Sequence, residues 1–360
     1  MSAPLAPPMG LIAELTHRCP LQCAYCANPV EMVRPAQELT TQEWFGVIDQ
    51  AAKIGVLQLH LTGGEPMARR DLVEIVARAA QRGLYTNLIT SGVLLDDKAM
   101  AALLEAGIDH IQLSFQEAEP VMGDHFGGYR GGHAKKLEAA RRIREAGLSL
   151  TTNFVLHRQN IASLPAMLAL GEELGSDRIE IAHTQYYGWA LRNRDALLPT
   201  REELETATAL VEAARARLGS RIAIDYVVPD YHASQPKACM GGWGNRFLHL
   251  LPSGEVLPCH AAQTIPGLRF ASVREVSLAE IWRADPAFNR FRGTDWMPAP
   301  CRSCDQREID WGGCRCQALL LAGDAAATDP VCARAPDHGV IETILAARPE
   351  EPPALIPRRL

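Results

Sequence analysis

Between residue 10 and about residue 227, short apolar runs rich in β-branched residues alternate with longer stretches of helical period. Few folds accept that alternation, because parallel strands need long crossover connections and helices usually supply them; the pattern predicts a parallel sheet covered by helices. The predicted strands are residues 11–15, 57–61, 85–89, 108–115, 148–156, 179–183 and 222–227. After the first strand, Thr40-Thr41-Gln42-Glu43 is a capping-box pattern, and Trp44, Val47, Ile48 and Ala51 follow on one helical face. Further helices are predicted at 71–82, 96–106, 134–146, 161–174 and 201–218. Six such repeats suit an open doubly wound sheet or a closed or partly closed barrel. In either, ligands belong at the C-terminal ends of the strands.

Beyond residue 227 the texture changes. Residues 229–236 read as a linker, and the chain after them is rich in glycine and cysteine and short of long helices. The organisation expected is a core over residues 1–228, a cysteine-rich domain over 229–345 and a solvated tail over 346–360. With 42 acidic against 36 basic side chains (net −6), the chain lacks the electrostatic footprint of nucleic-acid binding. Its 47% hydrophobic content places it far from intrinsically disordered chains. No run approaches the ~18 apolar residues of a membrane span, and the N-terminus lacks a basic segment followed by an apolar one. A cytoplasmic protein with no membrane or nucleic-acid partner is expected. Thiols stay reduced there, so ten cysteines at short spacings read as metal ligands.

Three of these thiols, Cys19, Cys23 and Cys26, lie within eight residues just past the first predicted strand. Closed structural zinc sites use four protein ligands, whereas a cubane iron–sulfur cluster held by three thiolates leaves one iron open to a small molecule. Zinc completed by His17 or by a distant residue is the alternative. At the end of the second strand, on the same rim, stands Gly63-Gly64-Glu65-Pro66. Its glycines allow close backbone approach to a ligand, and Glu65 offers a carboxylate to a cationic amine.

Together these motifs resemble those of the radical S-adenosylmethionine (SAM) superfamily. The resemblance implies a partial (β/α)6 barrel of TIM-like kind, with Cys19, Cys23 and Cys26 holding a [4Fe–4S] cluster whose open iron is chelated by SAM. It also implies SAM contacts from Tyr25, Gly63, Gly64, Glu65, Asn87, Thr90, Ser91, Ser114, Gln116 and Asn153. Gln116 departs from the commoner Ser-x-Asp pattern of the fourth strand.

Cys239, Cys259, Cys301, Cys304, Cys314, Cys316 and Cys332 remain, one thiol short of two four-ligand clusters. The run from Cys301 to Cys316 resembles the SPASM extension of peptide-modifying radical SAM enzymes, with Cys239-x14-Gly254-x4-Cys259 as its first half. In that frame Asp310 stands where a core cysteine is usual. The implied auxiliary iron–sulfur clusters are held by Cys239, Cys259, Cys314 and Cys316, and by Cys301, Cys304, Asp310 and Cys332, with Cys314 and Cys316 interchangeable.

Several whole segments, including the Asp310 frame and residues 183–194, further resemble the radical SAM enzymes of pyrroloquinoline quinone (PQQ) biosynthesis. This implies a reaction on the precursor peptide PqqA, presented by the chaperone PqqD, with an electron donor such as a flavodoxin. Reductive cleavage of SAM to methionine and a 5′-deoxyadenosyl radical would start a carbon–carbon cross-link between a glutamate γ-carbon and a tyrosine ring. An auxiliary cluster would accept the surplus electron, and His183 and Tyr186, at the end of the sixth strand, would face the mouth as catalytic or substrate-pocket residues. The alternatives are another SPASM peptide maturase, making a thioether or a different carbon–carbon link, and a non-catalytic iron–sulfur electron carrier or sensor.

Overall fold

A computed structural model describes residues 5–228, 230–233 and 235–359. Seven parallel strands, β1 (Gly10–Glu14), β2 (Gln58–Thr62), β3 (Tyr85–Thr90), β4 (His110–Phe115), β5 (Ser149–Leu156), β6 (Arg178–His183) and β7 (Ala223–Val227), pair in sequence order. Between them run α1 (Thr41–Lys53), α2 (Leu72–Gln81), α3 (Asp97–Ala106), α4 (Pro120–Gly127), α5 (Gly132–Glu145), α6 (Leu164–Glu173), the short α7 (Gly188–Arg192) and α8 (Arg194–Leu197), and α9 (Arg201–Leu218). The sheet does not close, and of these elements only α4, α7 and α8 lie outside the predicted alternation.

Local chemistry sets the helix starts. At α1 the Thr40 hydroxyl accepts from the Glu43 amide (3.3 Å) while the Glu43 carboxylate accepts from the Thr40 amide (2.7 Å). The same reciprocal pair, Thr200 with Glu203, opens α9. Trp44, Val47, Ile48 and Ala51 are buried against the sheet; burying a large apolar side chain of this kind stabilises the fold by roughly 1.5–3 kcal/mol. The main core lies between the strands and these helices, with Leu11, Leu59, Leu61, Leu88, Ile111 and Phe154 among its buried members.

The sheet continues beyond residue 228. β8 (Phe247–Leu250) joins the free edge of β1 in parallel, with Leu11 opposite Leu248, and β9 (Val256–Leu257) turns back antiparallel to β8. The cysteine-rich region is thus bonded into the barrel wall. Its helices are short: α10 (Leu278–Ala284), α11 (Pro286–Asn289), α12 (Arg307–Asp310), α13 (Arg315–Ala322) and α14 (Gly339–Ala346). Trp243, Leu251, Leu257 and Phe291 form a second core there together with cysteines. No helix among the described residues is long and apolar enough to cross a membrane.

The end of the chain corrects one expectation. Side chains 350–354 are exposed, as solvation requires, but the segment is pinned to the barrel and Arg358 is only 2% exposed. Backbone carbonyls at the barrel mouth supply acceptors that composition could not reveal.

Candidate functional site

The register of β1 with β2, Glu14 opposite Thr62, brings the two motifs onto one rim. The cysteine loop lies directly on the glycine turn: the Gly64 amide donates to the Thr16 carbonyl (2.6 Å) and the Glu65 amide to the Arg18 carbonyl (2.7 Å). A Cβ on Gly63, which has φ +136°, would stand 2.3 Å from the Thr16 oxygen, and one on Gly64 would stand 2.4 Å from the Arg18 oxygen. Both positions therefore exclude side chains. The close neighbour that the glycines admit is the cysteine loop itself.

Above this contact opens a cavity of ≈ 200 Å³. Cys19, Cys23 and Cys26 line it together with Tyr25, Gly63, Gly64, Thr90, Ser91, Ser114, Gln116 and Asn153. Burial pushes the Cys23 thiol up to about 12 and raises those of Cys19 and Cys26, so these thiols hold their protons until a metal displaces them. His17 cannot complete a zinc site here. Its Nδ1 accepts from the Val33 amide (2.9 Å) and its Nε2 donates to Glu14 (2.9 Å), which occupies both nitrogens.

Two residues from the expected SAM set lie behind the cavity wall. Glu65 is fully buried, and its carboxylate accepts from Thr90 Oγ1 (2.6 Å), the Met67 amide (3.1 Å), the Ser91 amide (2.8 Å) and Ser91 Oγ (2.5 Å). All four acceptor positions are taken. Glu65 thus ties the end of β2 to the end of β3 and orients Thr90 and Ser91, rather than standing ready for an amine. Asn87 sits deeper in the barrel, beside His60 (3.3 Å), because side chains on one face recur every second residue and Ile89 and Ser91 occupy the levels nearer the rim.

Sequence reading missed Lys136. It lies on the buried stripe of α5 with His133, Ala139, Ala140 and Ile143, and that lysine on an otherwise apolar face is the signal that could have exposed it. Its Nζ donates to the Ser114 carbonyl (2.8 Å) and to Gln116 Oε1. Burial pushes its ammonium down to about 8, against the pull of Cys23, Glu65 and Cys19. A carboxylate at position 116 would neutralise this cation, whereas Gln116 offers it only an amide oxygen.

The remaining cysteines gather in the extension. Cys239 has Cys259 and Cys314 as its interacting neighbours, and Cys316 has the same two, so these four thiols influence one another's protonation. Cys314 and Cys316 therefore fall in one group. Tyr187 Oη, from the rim of β6, lies 3.2 Å from Cys314 Sγ. Cys301 has Asp310 and Cys332 as neighbours, and Cys304 stands nearby in sequence with Arg334 at 3.2 Å from its sulfur. Trp311, Gly312 and Gly313 take left-handed backbone (φ 54°, 74° and 80°), turning the chain sharply between Asp310 and Cys314. Buried Arg315 donates to the carbonyls of Ala325 (2.9 Å), Ala327 (2.7 Å) and Gly312, and Cys314, Cys239 and Cys301 all feel its charge.

His183 and Tyr186 do not face the Cys19 cavity. They line a narrow cleft toward the extension with Tyr187, Gln317 and Leu320. His183 Nε2 pairs with Tyr226 Oη (3.1 Å), and burial pushes its imidazole down to about 3, which makes it a weak base. Tyr186 stacks on Tyr231 at 5.3 Å.

Comparison with known proteins agrees with this geometry. Residues 13–171 match the radical SAM superfamily, and residues 239–305 match an iron–sulfur cluster-binding domain. Among solved structures, SuiB from Streptococcus suis with SAM bound is similar in fold (TM-score 0.76, 18% identity, 91% of this chain and 77% of that one). So is anSMEcpe with SAM and a Kp18Cys peptide (TM-score 0.64, 15% identity, 86% of this chain and 90% of that one). Fold and site thus define a radical SAM enzyme with an iron–sulfur extension. The PqqA peptide cyclase of Granulibacter bethesdensis is 60% identical over 356 residues, 99% of this chain and 95% of the relative. That of Gluconobacter oxydans is 59% identical over 337 residues, 94% of each. The chain belongs to the PqqA peptide cyclase family.

Proposed function

We propose that this enzyme joins the γ-carbon of a glutamate to the ring of a tyrosine in a PqqA precursor peptide. The observation that carries the proposal is the single cavity, at the C-terminal ends of the parallel strands, that unites three thiols, the glycine turn and the polar strand ends. A [4Fe–4S] cluster with SAM would supply, by reductive cleavage to methionine, a 5′-deoxyadenosyl radical able to take a hydrogen atom from the glutamate. Three sulfurs with His17 already spent fit that group, since they leave a coordination position open.

Cys19, Cys23 and Cys26 would hold the cluster. Gly63 and Gly64 offer backbone groups to the amine of SAM, and Tyr25, Thr90, Ser91, Ser114, Gln116 and Asn153 surround its adenine, ribose and carboxylate. Lys136 contributes the compensating positive charge. Glu65 and Asn87 support these residues from behind. His183 and Tyr186 form a wall of the peptide pocket, a role that suits a buried neutral imidazole better than proton transfer does.

Restoring the aromatic tyrosine ring requires loss of one electron and one proton. Cys239, Cys259, Cys314 and Cys316 would hold one auxiliary cluster and Cys301, Cys304, Cys332 and Asp310 another, and such a cluster would supply an electron acceptor. A PqqD chaperone would present the peptide, and a flavodoxin-like donor would reduce the SAM cluster in the cytoplasm. The reading divides the chain at residue 228 into a barrel core and a cluster-binding extension to residue 345.

Anaerobically reduced protein should form 5′-deoxyadenosine from SAM and, with PqqA and PqqD, a peptide lighter by two hydrogen atoms whose fragments place the bond between glutamate and tyrosine. A thioether product, or no SAM cleavage at all, would refute the assignment. Asp310→Ala is expected to alter the spectrum of one auxiliary cluster, leave the SAM-responsive signal intact, and cut cross-linked product per 5′-deoxyadenosine by about tenfold or more. Unaltered auxiliary spectra would remove Asp310 from the ligand set.

A further inference from the structure

Residues 349–358 cross the barrel mouth, held by side chains of the barrel. Arg158, just after β5, donates to the carbonyls of Pro349 (2.7 Å) and Glu350. Asn193 brackets Ile356, donating to its carbonyl (2.9 Å) and accepting its amide (2.7 Å), and also donates to the carbonyl of Ala24 in the cysteine loop (3.0 Å). The Arg358 amide donates to the Gln22 carbonyl in the same loop (3.1 Å). A segment without regular structure is thereby fixed at several points against the residues that carry the cluster thiols.

These pins deliver one side chain into the site. The Arg358 guanidinium lines the Cys19 cavity. Its Nη2 donates to the His17 carbonyl (2.6 Å) and lies 3.3 Å from Met32 Sδ. Its Nε–H is buried and has no hydrogen-bond partner among the described residues. A buried donor left unpaired costs about 1–3 kcal/mol, more when charged, so such a group stands where an acceptor is to arrive.

We propose that Arg358 is a cofactor-binding residue whose free guanidinium N–H meets an anionic acceptor in this cavity, and that residues 349–358 are the strap that places it there. The acceptor is either a sulfur of the cluster or the carboxylate of SAM. The inference rests on the radical SAM reading given above. A donor and a positive charge beside an iron–sulfur cluster raise its reduction potential, and a charged hydrogen bond to a carboxylate tightens its binding.

Wild type, Arg358→Lys, Arg358→Gln and a truncation after Arg348 should be reconstituted anaerobically. Two quantities are then measured by electron paramagnetic resonance: the potential of the SAM-responsive cluster without SAM, and the SAM dissociation constant. The auxiliary-cluster signals report whether each variant is folded. Arg358→Gln and the truncation are expected either to lower the SAM-free potential, which identifies sulfur as the acceptor, or to raise the SAM dissociation constant about tenfold, which identifies the carboxylate. Arg358→Lys should retain part of the wild-type value. In the wild-type enzyme, where no substitution can disturb folding, backbone exchange of residues 349–358 should slow when cluster and SAM are loaded. Unchanged potential and affinity, or unchanged exchange, overturns the assignment. If wild type itself shows no SAM-responsive cluster, the functional reading fails first and the inference falls with it.

Discussion

Replacing Gly64 with alanine is expected to cut 5′-deoxyadenosine formation by at least about 100-fold and to lower the iron content of the SAM-cluster site. The added carbon would lie 2.4 Å from the Arg18 oxygen and 2.5 Å from the His17 oxygen. Both are backbone atoms, and the flanking amides of Gly64 and Glu65 are bonded to the same loop at 2.6 and 2.7 Å. The turn cannot relieve the clash without breaking those bonds, so the cysteine loop must lift from it. Overpacking of this kind costs about 1–3 kcal/mol, and displacing reacting groups by about 1 Å costs on the order of 100-fold in rate. Gly46 provides the control: it lies on α1 with nothing within 4 Å of an added Cβ. Gly46→Ala should leave activity unchanged and raise stability by up to about 1 kcal/mol through helix propensity. Chromatographic quantitation of 5′-deoxyadenosine with iron analysis decides, and wild-type turnover by Gly64→Ala would show that the turn and loop are not locked together.

Glu14 should be the most stability-critical carboxylate of the barrel. At the end of β1 its Oε2 meets His17 Nε2 (2.9 Å) and its Oε1 meets His249 Nε2 of β8 (2.8 Å), with the carboxylate side chain only 8% exposed. One buried group therefore joins the barrel, the root of the cysteine loop and the extension. Burial alone would raise its carboxyl pKa, but the charge of His249 and hydrogen bonds from both histidines hold it well below the ordinary 4.5. Because the folded value is depressed, the stabilisation is fully present above about pH 4.5 and is lost as pH falls further. Glu14→Leu, which leaves both histidines without their partner, is expected to destabilise the protein by about 3–5 kcal/mol. Glu14→Gln, which keeps one acceptor but turns an N–H₂ group toward the other imidazole, should fall between. Denaturant titrations at several pH values test this: the gap between wild type and Glu14→Gln should narrow as pH drops below 4.5. A gap within about 0.5 kcal/mol at neutral pH would refute the junction role, since that is the range of ordinary surface substitutions.

Local periodicity made the barrel legible. The predicted strands at 57–61 and 179–183 became Gln58–Thr62 and Arg178–His183, and the helix predicted over 201–218 is Arg201–Leu218, because side-chain alternation and capping act within a few residues. Depth within the barrel was not legible. Asn87 and Ile89 share a face of β3, yet only Ile89 lines the cavity, and which level forms the rim depends on how neighbouring strands are staggered. Glu65 was legible as a residue of the site but not in its role, since Thr90 and Ser91, which consume its acceptors, lie 25 and 26 residues away.

The amino-acid order alone determined the class of chemistry: three closely spaced thiols after a strand and a double glycine after the next are local facts that survive any packing. The same order placed seven further thiols and Asp310 in a cysteine-rich region. Only the tertiary structure decided what surrounds them. It joined β8 to the free edge of β1, drew Cys314 and Cys316 into one group with Cys239 and Cys259, aimed Lys136 inward, and brought Arg358 back to the carbonyl of His17, 341 residues earlier. Contacts of that span are selected by complementary backbone acceptors and buried charge, which exist only once the sheet is assembled and leave no period in the sequence.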